Sequence, residues 1–402
     1  MTVRHRTGAD VSIMREVQPH RGQGLGVLVK PASADCNLKC EYCFYHERMT
    51  DPYGSDAKRH VMSYDVLERF LSEFLPLAGP QPNVGWQGGE PTLAGLPFFE
   101  RAVERQQALK DRHQTIANAL QTNAILIDDD WAQFLHEHRF LVGVSIDGPR
   151  ELHDRYRLDY GGKGTFSRVM SKIDLLRKHD VEFNLLCVVN RLTARKPEAI
   201  YTFFADEGFT WLQFIPAVER DSKGRVTPFS VTPGQYGDFL CRIFDLWWQE
   251  GNPTVSVRMF DEVLGVGMGQ MPGSCQLHEV CGGLYVVVEY NGDIYPCDFF
   301  VEARWRLGNL METPLVEMLD GDLLRRFARI KPNASAKCAS CRFRGICRNG
   351  CPHYRSLGGG RFLDLDYLCE GYYKFYSHAI PKLAKLRQPT APQSDRALPM
   401  LF

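Results

Sequence analysis

Cys36-Asn37-Leu38-Lys39-Cys40-Glu41-Tyr42-Cys43 places three thiols in eight residues, separated by three residues and then by two. Three soft thiolates so close together cannot all pair as disulfides, and they leave a metal one ligand short. A fully protein-bound four-iron cube takes four cysteines. With three, one iron keeps an open position, and an open position separates a catalytic metal site from a structural one. The bland readings of the same residues are a zinc knuckle missing a ligand or a chance cluster of cysteines.

Three other stretches carry polar groups suited to a bound ligand. In Trp86-Gln87-Gly88-Gly89-Glu90-Pro91 the paired glycines let backbone approach a ligand closely and offer amides to a carboxylate or amine. Ser145, in Val144-Ser145-Ile146-Asp147-Gly148, is a polar residue at the end of an apolar run. Arg157, in His153-Asp154-Arg155-Tyr156-Arg157, suits a carboxylate through a bidentate contact. Eight more thiols follow: Cys275, Cys281, Cys297, Cys338, Cys341, Cys347, Cys351 and Cys369. Eight ligands are two sets of four, which zinc and iron both accept, and spacing does not tell which thiols share a set. Of the 13 cysteines, Cys187 and Cys241 remain and read as buried hydrophobes.

These residues need elements to hold them. Strands are expected at Gly24–Val29, Asn83–Trp86, Ala119–Thr122, Leu141–Ile146, Phe183–Val189 and Trp211–Ile215. Between them, apolar residues recur at three and four in Tyr64–Leu71, Phe98–Leu109, Asp128–His138, Phe166–Lys178 and Pro197–Glu207, with caps such as Ser63 and Thr165. Six strands alternating with helices imply a parallel sheet, with strand-end residues pointing to the site. Val231 to about Gly269 reads as helical. Beyond Ser274 come thiols, a short strand over Gly283–Glu289, and the hairpin signal Asn291-Gly292-Asp293. Counting strands does not separate an open sheet from a barrel. The expected divisions are an N-terminal tail (1–20), a parallel-sheet domain (21–230), a helical linker (231–272), a cysteine-rich domain (273–378) and a C-terminal tail (379–402).

Composition narrows the setting. Apolar residues make up 44% and charged residues 24% of 402, ordinary for a globular protein with a full core. Lys+Arg and Asp+Glu are equal at 48, so no global field points to nucleic acid or an anionic membrane. No stretch approaches a membrane span and no export signal opens the chain. Clustered thiols in such a chain imply metal rather than disulfides and a cytoplasmic location.

At Cys36, Cys40 and Cys43 the sequence resembles the radical S-adenosylmethionine enzymes, in which the open iron chelates the amino and carboxylate groups of S-adenosylmethionine. That resemblance implies a partial (β/α)6 TIM-like barrel in an α/β fold. It also implies cofactor contacts from Tyr42 and Val218 near the adenine, Gly89 near the amino group, and Ser145 and Arg157. Gln121-Thr122-Asn123 fits the pattern too, with Ala124 where glycine is usual. Cys338-x2-Cys341-x5-Cys347-x3-Cys351 followed by Cys369 resembles the auxiliary-cluster domain called SPASM, with Cys275, Cys281 and Cys297 as its upstream half. Once a radical cluster is present, two further clusters give its electrons somewhere to go. The resemblance implies Cys275, Cys281, Cys297 and Cys351 for one cluster and Cys338, Cys341, Cys347 and Cys369 for the other. Three 4Fe-4S clusters and S-adenosylmethionine are therefore the expected cofactors.

From about Leu25 to Tyr376 the chain is similar to the anaerobic sulfatase-maturating enzymes, on Cys43-Phe44-Tyr45, Gln87–Gly95, Gln213-Phe214-Ile215-Pro216 and Tyr295-Pro296-Cys297-Asp298-Phe299. Such enzymes oxidise a Cys or Ser of a sulfatase to Cα-formylglycine. The implied partners are a sulfatase segment of the type Cys/Ser-x-Pro-x-Arg and a reductant such as flavodoxin or ferredoxin. That oxidation removes a hydrogen atom, a proton and an electron. Asp298, next to a cluster ligand, is the expected general base, its basicity raised by desolvation. Gln87 and Tyr45 are expected near the target peptide or cofactor. Two other functions fit parts of the pattern. One is a SPASM enzyme crosslinking a ribosomal peptide, for which the 35 residues before Cys36 are too few for a peptide-recognition domain. The other is a non-enzymatic metal-binding electron-transfer protein, which needs neither Gly88-Gly89 nor the polar strand ends.

Overall fold

The computed structural model describes residues 24–45, 59–333, 335–357 and 364–387. The tail expected over 1–20 and residues 388–402 lie outside them.

All six expected strands form, as β1 (Gly26–Lys30), β2 (Asn83–Trp86), β3 (Ala117–Thr122), β4 (Leu141–Ser145), β5 (Phe183–Val189) and β6 (Trp211–Pro216). Each pairs in parallel with the next. The crossovers carry α1 (Tyr64–Phe74), α2 (Leu96–Leu109), α3 (Asp129–Glu137), α4 (Arg150–Tyr156), α5 (Phe166–Lys178) and α6 (Pro197–Asp206). In α1 the buried residues are Val66, Leu67, Phe70, Leu71 and Phe74, the three-and-four rhythm that turns one helix face to the sheet. Ser63 caps it, accepting from the Val66 N–H at 3.2 Å. Thr165 makes no such cap on α5; its hydroxyl donates instead to Arg157 O at 2.9 Å.

The sheet does not stop at six strands. The helical stretch from Val231 divides into α7 (Pro233–Trp248) and α8 (Arg258–Gly267), and between them β7 (Ser256–Val257) pairs in parallel with β6. At the opposite edge β8 (Tyr285–Glu289) runs parallel to β1, in the register Gly26↔Tyr285 to Lys30↔Glu289. The Asn291-Gly292 turn, with Gly292 at φ +87, then folds β9 (Asp293–Tyr295) back antiparallel on β8. β10 (Gly308–Asn309) closes a ten-stranded open sheet of order β10-β9-β8-β1-β2-β3-β4-β5-β6-β7. All of β1 is buried, so it needs neighbours on both edges, and the cysteine-rich region supplies one. The barrel and the region expected over 273–378 thus share one sheet.

Short helices follow: α9 (Leu315–Leu319), α10 (Asp322–Ala328), α11 (Ala336–Ala339), α12 (Arg344–Cys347) and α13 (Pro352–Ser356), then the longer α14 (Cys369–Leu383). Ala379 and Leu383 are buried, so α14 continues as packed helix beyond the expected tail boundary at 379. It lies against α7 at glycine contacts. A Cβ on Gly371 would stand 2.4 Å from Pro233 O, and one on Gly237 2.8 Å from Gly371 Cα. Asp245 on α7 meets His378 and Lys382 on α14, each at 2.6 Å. Cys187 is buried in β5, whereas Cys241 on α7 is only half-buried.

Candidate active site at the carboxyl ends of the strands

The three-cysteine stretch leaves β1 as a loop and is stitched to the segment after α4. Lys39 N–H donates to Leu158 O at 2.8 Å and Glu41 N–H to Tyr156 O at 3.2 Å. Leu38, Cys40, Tyr42, Tyr156 and Ala217 form a small apolar cluster, with Cys36 and Cys43 packed at its margin. Burial pushes all three thiols upward, Cys40 to about 12. A coordinated metal cation reverses that balance by holding the thiolate form.

Gly88 and Gly89 lie directly against the approach to Cys36. A Cβ on Gly89 would stand 2.1 Å from Asp35 O, and one on Gly88 2.4 Å from Ser33 O. The Gly89 and Glu90 amides donate to Ser33 O (2.8 Å) and Asp35 O (2.7 Å). Of the paired glycine amides expected to face a ligand, that of Gly89 is thus spent on the cysteine loop, which leaves its carbonyl to meet an amine. Glu90 ties this loop to the end of β3, accepting from Thr122 Oγ1 and the Asn123 N–H, each at 2.8 Å. Burial raises Glu90 against those hydrogen bonds. Asn123 Nδ2 donates in turn to Asn37 Oδ1 at 2.7 Å. Ala124 adopts φ +64, the left-handed conformation that makes glycine usual there, and its N–H is held by Thr122 Oγ1 at 2.9 Å.

Ser145 ends β4 and accepts from Gln121 Nε2 at 3.1 Å. Gly143 makes room for that glutamine, since a Cβ there would stand 2.2 Å from Gln121 Oε1. Arg157 is buried and spends two N–H groups on Asp147, Nε at 2.9 Å and Nη2 at 3.2 Å. The bidentate contact expected with an incoming carboxylate is thus made within the protein, leaving Nη1 uncommitted to Asp147. The Tyr42 hydroxyl donates to the same Asp147, and Arg157 lies 5.5 Å from the centre of the Tyr42 ring. Asp147 also accepts from the Val188 N–H at 2.9 Å, so it joins β4, β5, Arg157 and Tyr42. Asp147 carries a single mark in the sequence, a carboxylate two residues beyond a strand-end serine. Beneath it, His153 Nδ1 accepts from the Asp147 N–H at 3.3 Å, which puts the ring proton on Nε2, facing Thr165 Oγ1 at 2.9 Å. Burial lowers His153 to about 4. Val218 is buried in the main core; its neighbour Ala217 meets the cysteine loop.

Asp298 is where distant parts of the chain converge. The Tyr45 hydroxyl donates to its Oδ2 at 2.7 Å, and Gln87 Nε2 reaches the same oxygen at 3.4 Å. Lys30, at the end of β1 and 1% exposed, stands 2.5 Å from Asp298 Oδ1 and 3.3 Å from Glu289 Oε1, with its Nζ 4.7 Å from the Tyr45 ring centre. Ser33 Oγ donates to Glu289 Oε2 at 2.9 Å. Desolvation therefore does not act alone on Asp298: a buried ammonium faces its carboxylate. Lys30 and Glu289 were not singled out, for a lysine closing an apolar strand ordinarily marks the exit to solvent.

The eight later thiols fall into two neighbourhoods. Cys275, Cys281, Cys297 and Cys351 repel one another's ionised forms, and so do Cys338, Cys341, Cys347 and Cys369. Among the described residues no three His, Cys, Asp or Glu side chains close on one point as a single ion requires. Buried Arg355 lies near thiols of both sets, its N–H groups spent on the carbonyls of Asn349, Lys331, Ile330 and Asn333. The Tyr285 hydroxyl donates to Cys297 Sγ at 3.4 Å, beside Asp298.

Residues 31–204 match the Radical SAM superfamily, and residues 280–342 match a domain described as an iron-sulfur cluster-binding domain. A serine-type anaerobic sulfatase-maturating enzyme of Bacteroides thetaiotaomicron is 40% identical over 375 residues, 89% of this chain and 90% of that protein. A cysteine-type anaerobic sulfatase-maturating enzyme of Clostridium perfringens is 39% identical over 368 residues, 89% of this chain and 97% of that protein. Among solved structures, native anSMEcpe with bound AdoMet and Cp18Cys peptide superposes with a TM-score of 0.83 at 38% identity, covering 90% of this chain and 99% of that one.

Proposed function

This chain belongs to the anaerobic sulfatase-maturating enzymes of the radical S-adenosylmethionine superfamily, and from that membership we propose that it oxidises a Cys or Ser of a sulfatase to Cα-formylglycine. The observation that carries the reading is the convergence of Tyr45, Gln87 and Lys30 on Asp298, next to Cys297 and across from the three-cysteine loop.

The thiols of Cys36, Cys40 and Cys43 would hold a 4Fe-4S cluster with one iron open to S-adenosylmethionine. When bound, the cluster and S-adenosylmethionine together would supply a 5′-deoxyadenosyl radical able to take a Cβ hydrogen atom from the target side chain. The Gly89 carbonyl suits the amino group of the cofactor, Ser145 and the Arg157 Nη1 side its carboxylate, and Tyr42 and Val218 its adenine end. Asp298 receives the thiol or hydroxyl proton, and Lys30 keeps a counter-charge beside the carboxylate while it does so. Gln87 and Tyr45 orient that carboxylate and border the space for the target residue. Cys275, Cys281, Cys297 and Cys351 would hold one further cluster, next to Asp298, and Cys338, Cys341, Cys347 and Cys369 another; these would supply acceptors for the remaining electron. A target Cys becomes a thioaldehyde that hydrolyses to formylglycine; a target Ser gives the aldehyde directly.

The sulfatase segment we propose is of the type Cys/Ser-x-Pro-x-Arg, and the reductant a flavodoxin or ferredoxin. Anaerobically reconstituted enzyme incubated with Cys-x-Pro-x-Arg and Ser-x-Pro-x-Arg peptides should change the mass of at least one to that of the formylglycine product. S-adenosylmethionine cleavage with both peptides unchanged would remove the maturase reading.

A further inference from the structure

The chain as a whole carries 48 cations and 48 anions, yet between Asp322 and Arg348 eight Lys and Arg stand against a single acid. Three of the eight adjoin thiols of the outer set, the one that lacks Cys297. Lys337 precedes Cys338, Arg342 follows Cys341, and Arg344 opens the α12 turn that ends in Cys347. All three cations are exposed, and among the described residues none has a carboxylate partner. Lys337 acts on Cys369 and Arg344 on Cys338, so both charges lie within electrostatic reach of the thiols.

Between Lys337 and Arg342 the residues other than the thiols are small. Ala339 and Ser340 are exposed, and no bulky side chain separates Cys338 from Cys341. Arg342 is held flat: its guanidinium lies 4.5 Å from the Phe343 ring centre and 5.4 Å from that of Tyr373, and Nη2 donates to Ser377 Oγ at 2.9 Å. Tyr373 itself is 46% exposed, an aromatic edge beside the cationic rim. A preorganised arginine, an exposed tyrosine and unpaired cations beside small exposed residues have the makings of a contact surface. Glu370 lies close by, but its field falls on Lys374, which is also paired with Asp238.

We propose that Lys337, Arg342, Arg344 and Tyr373 form the docking surface for an acidic one-electron carrier protein, placed to take an electron through the outer thiol set. The inference rests on the reading of the thiols as cluster ligands. Each turnover moves one hydrogen atom to the deoxyadenosyl radical, one proton to Asp298 and one electron to the clusters. The oxidised carrier accepts that electron and is reduced by one. The cationic rim steers an anionic carrier into a small, transient interface, as electron-transfer encounters require.

The test uses full-length reconstituted enzyme and oxidised flavodoxin, with affinity measured at low and high ionic strength. Binding should weaken as salt rises, and the combined Lys337→Glu, Arg342→Glu and Arg344→Glu variant should lose roughly tenfold or more in affinity. Its iron content and its dithionite-driven S-adenosylmethionine cleavage should match the wild type, since a small reductant needs no docking surface. If charge reversal costs iron, the corresponding Gln variants carry the same expectation. Salt-independent affinity, affinity unchanged by the substitutions, or an equal loss on reversing Arg101 and Arg105 would overturn the proposal. So would a surface that retains single-stranded RNA but not flavodoxin. Wild-type enzyme that binds no iron would instead overturn the cluster reading beneath it.

Discussion

Lys30 and Asp298 sit 2.5 Å apart, one at the end of the first strand and the other immediately after a cysteine of the last sheet hairpin. Their pairing, with Glu289 as the second anion, joins the first strand to the β8–β9 hairpin at the proposed base. Removing the ammonium strands two buried carboxylates, which costs about 3–5 kcal/mol when one partner of a buried pair is lost. Lys30→Met should therefore lower the unfolding midpoint substantially and depress product formation. Lys30→Arg should recover part of the stability.

Asp298→Asn separates proton transfer from radical generation. The amide keeps the shape of the side chain but accepts no proton, so formylglycine formation should fall by about 10²–10⁴-fold. S-adenosylmethionine cleavage should continue, read by 5′-deoxyadenosine release. Cys36→Ala should abolish both. Wild-type turnover by Asp298→Asn would exclude it as the base.

Gly89→Ala tests a steric requirement. The new methyl would lie 2.1 Å from Asp35 O and 2.4 Å from Ala34 O, so the approach to Cys36 has to move. Iron should fall from about 12 to about 8 per chain, the loss of one four-iron cluster, with the later thiols still loaded. Full iron content with normal cofactor binding would show that the loop adapts.

His153 makes a pH prediction with a definite sign. Burial holds it near 4, whereas an unfolded histidine titrates near 6.5. Between those values the unfolded chain binds a proton that the fold refuses, so stability contributed at neutral pH is lost as pH falls from about 6.5 to 4. The loss approaches about 3 kcal/mol. The stability gap between the wild type and His153→Asn should therefore shrink on acidification across that window. A constant gap would mean that His153 titrates normally in the fold.

Local pattern was legible where local forces decide. β2, β5 and α5 begin and end where apolar periodicity places them, because each buries a face whose rhythm its own residues display. The thiols were legible from type and spacing, and Asp298 from its place after Cys297. Arg157 was visible as a binder of carboxylates, but no local feature distinguishes a ligand's carboxylate from that of Asp147. The pairing of β8 with β1 left no mark either, since parallel neighbours 259 positions apart share no turn. Lys30 and Glu289 follow from that pairing: each reads as a strand end, and only the register Lys30↔Glu289 makes them partners. Thr165 looked like a cap and serves instead to hold Arg157 and His153.

The β1–β8 register also governs synthesis. β1 leaves the ribosome early and β8 follows 259 residues later, roughly 10–50 s at ordinary elongation rates. Throughout that interval the nascent sheet keeps an apolar, hydrogen-bond-hungry border on β1, the kind of border that recruits other chains. A truncation ending at residue 272 leaves it open permanently and should emerge aggregated, while the intact chain seals it with the hairpin that leads into Cys297 and Asp298. A late-made hairpin thus covers the border left by the first strand, so closure of the sheet and arrival of Asp298 beside Lys30 are one event.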